Sequence, residues 1–103
     1  MMIIIKTTSD NLKTLEKISE ALLKKELAGC INILSNCNSY FIWETRIQKN
    51  KEYIAFIKSK KSNEKKIYNF IKKNHNYETP EILTIKVDNV DNSYLNWLKR
   101  VII

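Results

Sequence analysis

The chain has 103 residues, 44% of them hydrophobic and 28% charged, which fits one small globular domain and excludes a disordered or fibrous protein. Met1-Met2-Ile3-Ile4-Ile5 is too short for a signal-peptide core and no later apolar run reaches membrane-spanning length, so a cytoplasmic chain without membrane association is expected. The formal charge of +7 is nearly all lysine, with arginine only at Arg46 and Arg100, and it reads as a solvated surface rather than as a nucleic-acid footprint.

Met2 to Thr8 is an apolar run closed by Thr7-Thr8-Ser9-Asp10, which suits a buried strand and then a helix N-cap at Ser9 or Asp10. Leu12, Leu15, Ile18, Leu22 and Leu27 recur at helical spacing among lysines and glutamates, giving one packed stripe and one solvated face. Gly29, the only glycine, falls just past Leu27-Ala28, where a left-handed C-terminal cap is expected. Cys30 to Leu34 is strand-like, Ser35-Asn36-Cys37-Asn38-Ser39 is a turn or bulge, and Tyr40 to Gln48 is extended again. Lys49-Asn50-Lys51-Glu52 reads as a hairpin tip before a strand from Tyr53 to Lys60.

In Tyr40 to Trp43 and Tyr53 to Ile57 apolar residues occupy both alternating sets, so both faces of these strands need cover. One helical layer covers one face, and self-association is the simplest cover for the other. Ser62-Asn63-Glu64 caps a second helix with Ile67, Phe70 and Ile71 on one side, ending near Asn74-His75. Past Pro80, Glu81 to Val87 alternates with Leu83, Ile85 and Val87 on one face, and a last helix carries Tyr94, Leu95, Trp97, Leu98 and Val101.

This order predicts an α+β fold, a ferredoxin-like βαββαβ sandwich with an extra C-terminal helix, in a single domain over residues 1–103. Its antiparallel sheet carries both crossover helices on one face and leaves the other open for association. The densest chemistry is His75-Asn76-Tyr77-Glu78-Thr79-Pro80-Glu81, which gathers the only histidine, the only proline and two carboxylates at a helix-to-strand junction.

Catalytic signatures are absent: there is no Gly-rich phosphate loop, nucleophile elbow or Ser/His/Asp set, so no enzyme activity and no required cofactor are expected. Cys30 and Cys37 form neither a CxxC pair nor a zinc spacing, and without a secretion signal they are expected as free thiols. The lysines at 58–61 and 72–73 lack the basic-glycine-aromatic pattern of RNA-binding sheets, so nucleic acid is not an expected partner.

Several strings together carry a resemblance: Asn32-Ile33 after Ala28-Gly29-Cys30, Tyr40-x-x-Trp43-Glu44, Ile57-Lys58, His75 to Ile82, and Tyr94-Leu95-x-Trp97-Leu98. Taken in order across nearly the whole chain, they resemble the CutA family of divalent-cation tolerance proteins. The resemblance implies a homotrimer of ferredoxin-like subunits with PII-like architecture, and a link to copper and other divalent metals without established catalysis. Copper binding in some members is attributed to a first-strand cysteine and an adjacent histidine pair. Here those positions hold Lys6, Asn74 and His75, so only His75 carries over. Thr45 stands where a glycine commonly follows the tryptophan-glutamate pair.

Two groups of candidate residues follow. His75 and Cys37 are the candidate metal ligands, since imidazole and thiolate suit copper. Trp43, Glu44, Lys58, Tyr77 and Glu81 are the candidate lining of a cleft between subunits, suited to a small polar or anionic ligand. The function expected is a non-catalytic homotrimeric metal or small-ligand binding protein. The alternative is a PII-like signalling module that binds an anionic metabolite, with incidental metal binding.

Overall fold

The computed structural model describes residues 1–103, ordered as β1 (Met2–Ser9), α1 (Leu12–Lys24), β2 (Cys30–Trp43), β3 (Arg46–Lys60), α2 (Glu64–Asn74), β4 (Ile82–Lys86) and α3 (Asn92–Val101). The strands form one sheet in the order β2-β3-β1-β4, every pair antiparallel, which is the ferredoxin-like α+β arrangement.

Alternation along the strands assigns the two faces. Ile3, Ile5, Thr7, Ala55, Ile57 and Ser59 are all buried, and Ile18 and Leu22 of α1 with Ile67 and Ile71 of α2 close over the apolar members of that set. Each fully buried Ile or Leu side chain contributes about 1.5–3 kcal/mol, so this face holds the main core. The opposite face presents rows set by register: Ile85, Ile4, Lys58 and Cys30 in one, and Leu83, Lys6, Phe56 and Asn32 in the next. Leu34, Leu83 and Ile85 are exposed on it. α3 covers one end of this face, packing Leu98 and Ile102 on Met2, so the open side is only partly open.

Two local expectations need correction. α1 is capped by the Asn11 side chain, which accepts from the Thr14 N–H at 3.1 Å, rather than by Ser9 or Asp10. Beyond its end the left-handed residue is Glu26, at φ 59, and Gly29 has no positive φ. Glycine is required at 29 for space instead: a Cβ there would collide with Leu98 Cδ1 and lie 2.9 Å from Val101 Cγ2. The backbone at Gly29 and the inner face of α3 are in direct apposition.

The hairpin tip also lies elsewhere. β2 and β3 pair continuously out to Trp43 and Arg46, so the turn is Glu44-Thr45 and Lys49 to Glu52 lie within β3. Both turn residues are left-handed, at φ 49 and 63, as a two-residue hairpin turn of matching twist requires. Neither is glycine or asparagine, so the tip carries no turn signature, whereas the lysine-rich stretch resembles one. Pairing with β1 begins only at Tyr53, leaving residues 46–52 and their β2 partners as a two-stranded arm in a molecule 45 Å long.

Because a β-branched residue in the left-handed region is strained by about 1 kcal/mol or more, Thr45→Gly is expected to raise the urea midpoint by an amount near 1 kcal/mol. Gly29→Ala is expected to lower it by about 1–3 kcal/mol through overpacking against α3. Equilibrium unfolding followed by circular dichroism checks both.

Candidate functional site

At one end of the open face a cleft of about 710 Å³ runs between the β2–β3 arm and the loop that precedes β4. The arm wall is built by a bulge. Between Leu34 and Cys37 β2 carries one residue more than β3, with Asn36 at φ 60, and the alternation shifts by one. Cys37, Ser39, Phe41 and Trp43 then share a face with Glu52, Asn50, Gln48 and Arg46, continuing the face that carries Ile54 and Phe56. The other wall is Tyr77, Glu78, Thr79 and Glu81, with Thr8 at the floor.

The loop wall is fixed by hydrogen bonds that begin at His75. Its Nε2–H donates to the Thr8 carbonyl at 2.8 Å, and its Nδ1 accepts from the Tyr77 N–H at 2.9 Å. Both ring nitrogens are therefore engaged within the chain, which selects the neutral Nε2–H tautomer and leaves no free lone pair. Asn76 adds a second tie, accepting from the Ser9 hydroxyl at 2.5 Å and donating to Asp10 at 2.8 Å. Pro80 lacks an N–H and restricts Thr79, which ends the loop as the chain turns into β4.

The two walls meet at Tyr77 and Glu52. The Tyr77 hydroxyl donates to Glu52 Oε2 at 2.6 Å and accepts from Asn50 Nδ2 at 3.3 Å. Glu52 is only 8% exposed, although no lysine or arginine pairs with it. Burial, followed by the hydrogen bond to Glu52 and the charge of that carboxylate, pushes the Tyr77 phenol well above the usual tyrosine range. Tyr77 is thus held as a hydrogen-bond donor.

The structure brings three of the five candidate cleft residues together: Trp43, Tyr77 and Glu81 line one space. Glu44 sits in the hairpin turn, outside that lining. Lys58 lies toward the other end of β3, opposite Cys30 and Ile4, with Nζ 5.6 Å from the centre of the Tyr94 ring. The cation expected in the cleft is therefore absent from its walls, which carry Glu52, Glu78 and Glu81 and no basic side chain. Lys6 reaches the edge, but its ammonium is paired with Glu81 at 3.0 Å. These walls suit an anionic ligand poorly, because an anion would face unneutralised carboxylates.

The metal candidates stand apart in role. His75 is a structural tie, while Cys37 lies on the cleft face of β2, 3.6 Å from the Ser39 hydroxyl, and Cys30 and Cys37 are both free thiols. No group of three or more His, Cys, Asp or Glu side chains is placed to hold a metal ion. Asn74, at one of the positions associated with copper, donates to the Phe70 carbonyl on its own helix at 2.8 Å.

Sequence reasoning missed Glu52, Asn50 and Phe41. The signal for Glu52 was its spacing from Ile54 and Phe56 on one strand face, hidden by the lysines on either side of Asn50.

A long β2–β3 arm, a C-terminal helix on the open face and an acidic, aromatic cleft distinguish one class of ferredoxin-like α+β domain. Comparison with known proteins specifies it. A family model described as CutA1 divalent ion tolerance protein matches residues 3–101. The "Divalent-cation tolerance protein CutA" of Thermotoga maritima is 36% identical over 99% of this chain and 100% of its own length. That of Pyrococcus horikoshii is 35% identical over 94% of each chain. Among solved structures, one described as the periplasmic divalent cation tolerance protein CutA from Archaeoglobus fulgidus superposes with a TM-score of 0.94 at 30% identity, covering 98% of each chain. The chain belongs to the CutA1 divalent ion tolerance family.

Removing the Tyr77 hydroxyl strips a buried carboxylate of its one protein donor, so Tyr77→Phe is expected to cost about 1.5–3 kcal/mol in denaturant unfolding. The pH dependence has a definite sign. Because the folded value is raised, the stability linked to this phenol is fully present below the unfolded value of about 10 and is lost as pH rises through the higher folded one. Ultraviolet titration should show one tyrosine ionising later than a free phenol, and Tyr77→Phe should remove that late step.

Proposed function

We propose that this chain is a non-catalytic divalent-cation tolerance protein that works as a homotrimer in the cytoplasm, with the cleft between the β2–β3 arm and the 75–81 loop as its ligand site. The tolerance role rests on membership of the family over residues 3–101. What supports the assembly is the arm itself. A two-stranded ribbon is marginal in water, yet this one exposes Phe41, Ile42, Trp43 and Ile47, with Trp43 56% and Ile47 74% exposed. Partner subunits laid along the arm would bury both of its faces. The sequence resemblance gives the number three.

Two free thiols fit a reducing compartment, and no helix is long and apolar enough to cross a membrane. Copper, which the resemblance implies, does not fit a resident site in this chain. His75 has no free lone pair, Lys6 is paired with Glu81, and Asn74 is bonded to its own helix. The tolerance role is therefore assigned to the cleft rather than to a copper centre at His75.

Light scattering at micromolar concentration should give the mass of three chains, and a stable monomer would refute the assembly. His75→Ala should leave Cu(II) affinity unchanged in calorimetry while lowering stability by about 1–3 kcal/mol, since two partly buried backbone partners lose their bonds. A loss of copper affinity with unchanged stability would instead make His75 a ligand.

A further inference from the structure

We propose that the helical layer binds a condensed phosphate, a compact anion of three or more linked phosphoryl groups, in a lysine-lined basin between the end of α1 and α2. The site is separate from the cleft and does not depend on it.

The basin has a volume of about 740 Å³ and is lined by Lys25, Lys66, Lys72 and Lys73 with Asn69 and Phe70, and by no carboxylate. Lys66, Asn69, Phe70 and Lys73 recur at helical spacing along one side of α2. Lys25, at the C-cap of α1, closes the other side, its Nζ 5.6 Å from the centre of the Phe70 ring. The open sheet face and the arm are the surfaces assigned to assembly. No basin residue belongs to a strand, and the helices that carry them cover the opposite face of the sheet.

This cluster differs from an ordinary solvated helix face, where the two signs are interspersed and a glutamate commonly stands four residues from a lysine. α1 follows that pattern, with Glu20 four residues before Lys24. α2 does not. It carries four lysines and one acid, Glu64, which is paired with Lys61 at 2.6 Å and accepts from the Thr84 hydroxyl at 2.6 Å. Lys66, Lys72 and Lys73 have no acid three or four positions away. The helix dipole accounts for Lys72 and Lys73 in the last turn, but Lys66 lies in the first turn, where the dipole disfavours a cation. The two ion pairs of the chain are Lys6–Glu81 and Lys61–Glu64, so all four basin ammoniums lack a carboxylate partner. Glu26, next to Lys25 in sequence, pairs with none of them and does not line the basin. Like charges gathered around one concavity repel, and a polyanion placed among them turns that repulsion into attraction.

The shape and the residue types select the anion. Lysine meets phosphate as a compact point charge without the planar fork of arginine, and both arginines, Arg46 and Arg100, lie outside the basin. Four ammoniums exceed what a single phosphate or carboxylate can neutralise, which favours several phosphoryl groups held close together. RNA would need aromatic faces on which to stack its bases, and the one ring here, Phe70, is half-buried with Lys25 over it. A bilayer is flat and meets the rim of a basin rather than its lining. The volume lies in the usual range for small-molecule sites.

The test uses the full-length chain in its native assembly, with calorimetry, amide chemical shifts and light scattering. The probes are tripolyphosphate, orthophosphate, citrate, a short uridine oligonucleotide and vesicles containing phosphatidylglycerol. Tripolyphosphate should bind saturably, shift the amides of residues 66–73, and weaken steeply as sodium chloride rises from about 50 to about 300 mM, since exposed charges are screened by salt. Orthophosphate and citrate should bind at least about fivefold more weakly. Lys25→Gln with Lys66→Gln should weaken tripolyphosphate by about fivefold or more, the scale of two exposed charge contacts. Lys13→Gln with Lys99→Gln removes the same charge from positions outside the basin, and should change the affinity by less than about twofold. All four substitutions are at exposed surface positions, where folding is little affected.

Equal weakening in the two double variants makes the binding a property of net charge and overturns the proposal. Citrate binding as tightly as tripolyphosphate overturns the phosphate assignment. Binding of the oligonucleotide or the vesicles without tripolyphosphate gives the surface to a polymer or a membrane and also overturns it. If none of the probes binds at the lower salt, the lysines are a solvated face and the inference falls, while the cleft and the assembly stand.

Discussion

Between Leu34 and Cys37 β2 holds one residue more than the strand it pairs with, and that residue decides which side chains share a face along the rest of the arm. Without it, Tyr40 and Ile42 would continue the row of Leu34, and Phe41 and Trp43 would face the other way. With it, Phe41 and Trp43 stand on the face that carries Glu52. The aromatic wall, the position of the cleft and the apolar surface exposed along the arm all depend on that shift.

The loop wall is held by a different kind of constraint. The only histidine lies between the end of β1 and the start of the loop, engaged through both nitrogens. Asn76 repeats the tie one residue later, and the Tyr77 hydroxyl reaches across to Glu52 on the arm. Residues that look like ligand chemistry in sequence thus serve as the frame, and the group they meet across the cleft is a glutamate on the opposite wall. Buried polar groups are stable when fully paired, and the histidine is fully paired. Glu52 takes one hydrogen bond, from Tyr77, and forms no ion pair within the chain.

The acidic cleft also changes the meaning of the net charge. The +7 belongs to the chain as a whole, whereas the cleft walls carry carboxylates without lysine or arginine. Global charge governs solubility and long-range encounter, while local charge within a Debye length governs what binds. A basic protein can therefore carry an acidic cleft.

Much of the fold was legible in the sequence because it is written in short-range periodicity. The stripe of Leu15, Ile18 and Leu22, the alternation of Ile3 and Ile5, and the break at Pro80 set the element order and the helical face, and the local strings from Tyr40 to Trp97 marked the family. The hairpin tip was not legible, since Glu44-Thr45 adopts left-handed backbone without a turn residue, held by the pairing on either side. Nor was the role of Gly29, which depends on α3 from the far end of the chain. The cleft was half visible: Trp43, Tyr77 and Glu81 were named, but Glu52 was hidden and Lys58 misplaced. Its composition depends on a one-residue register shift and on a contact between Tyr77 and Glu52, 25 positions apart. Local sequence sets which elements form, and only tertiary pairing decides which side chains from distant elements face one another, because that choice is made by long-range packing and hydrogen bonding rather than by any pattern within a segment.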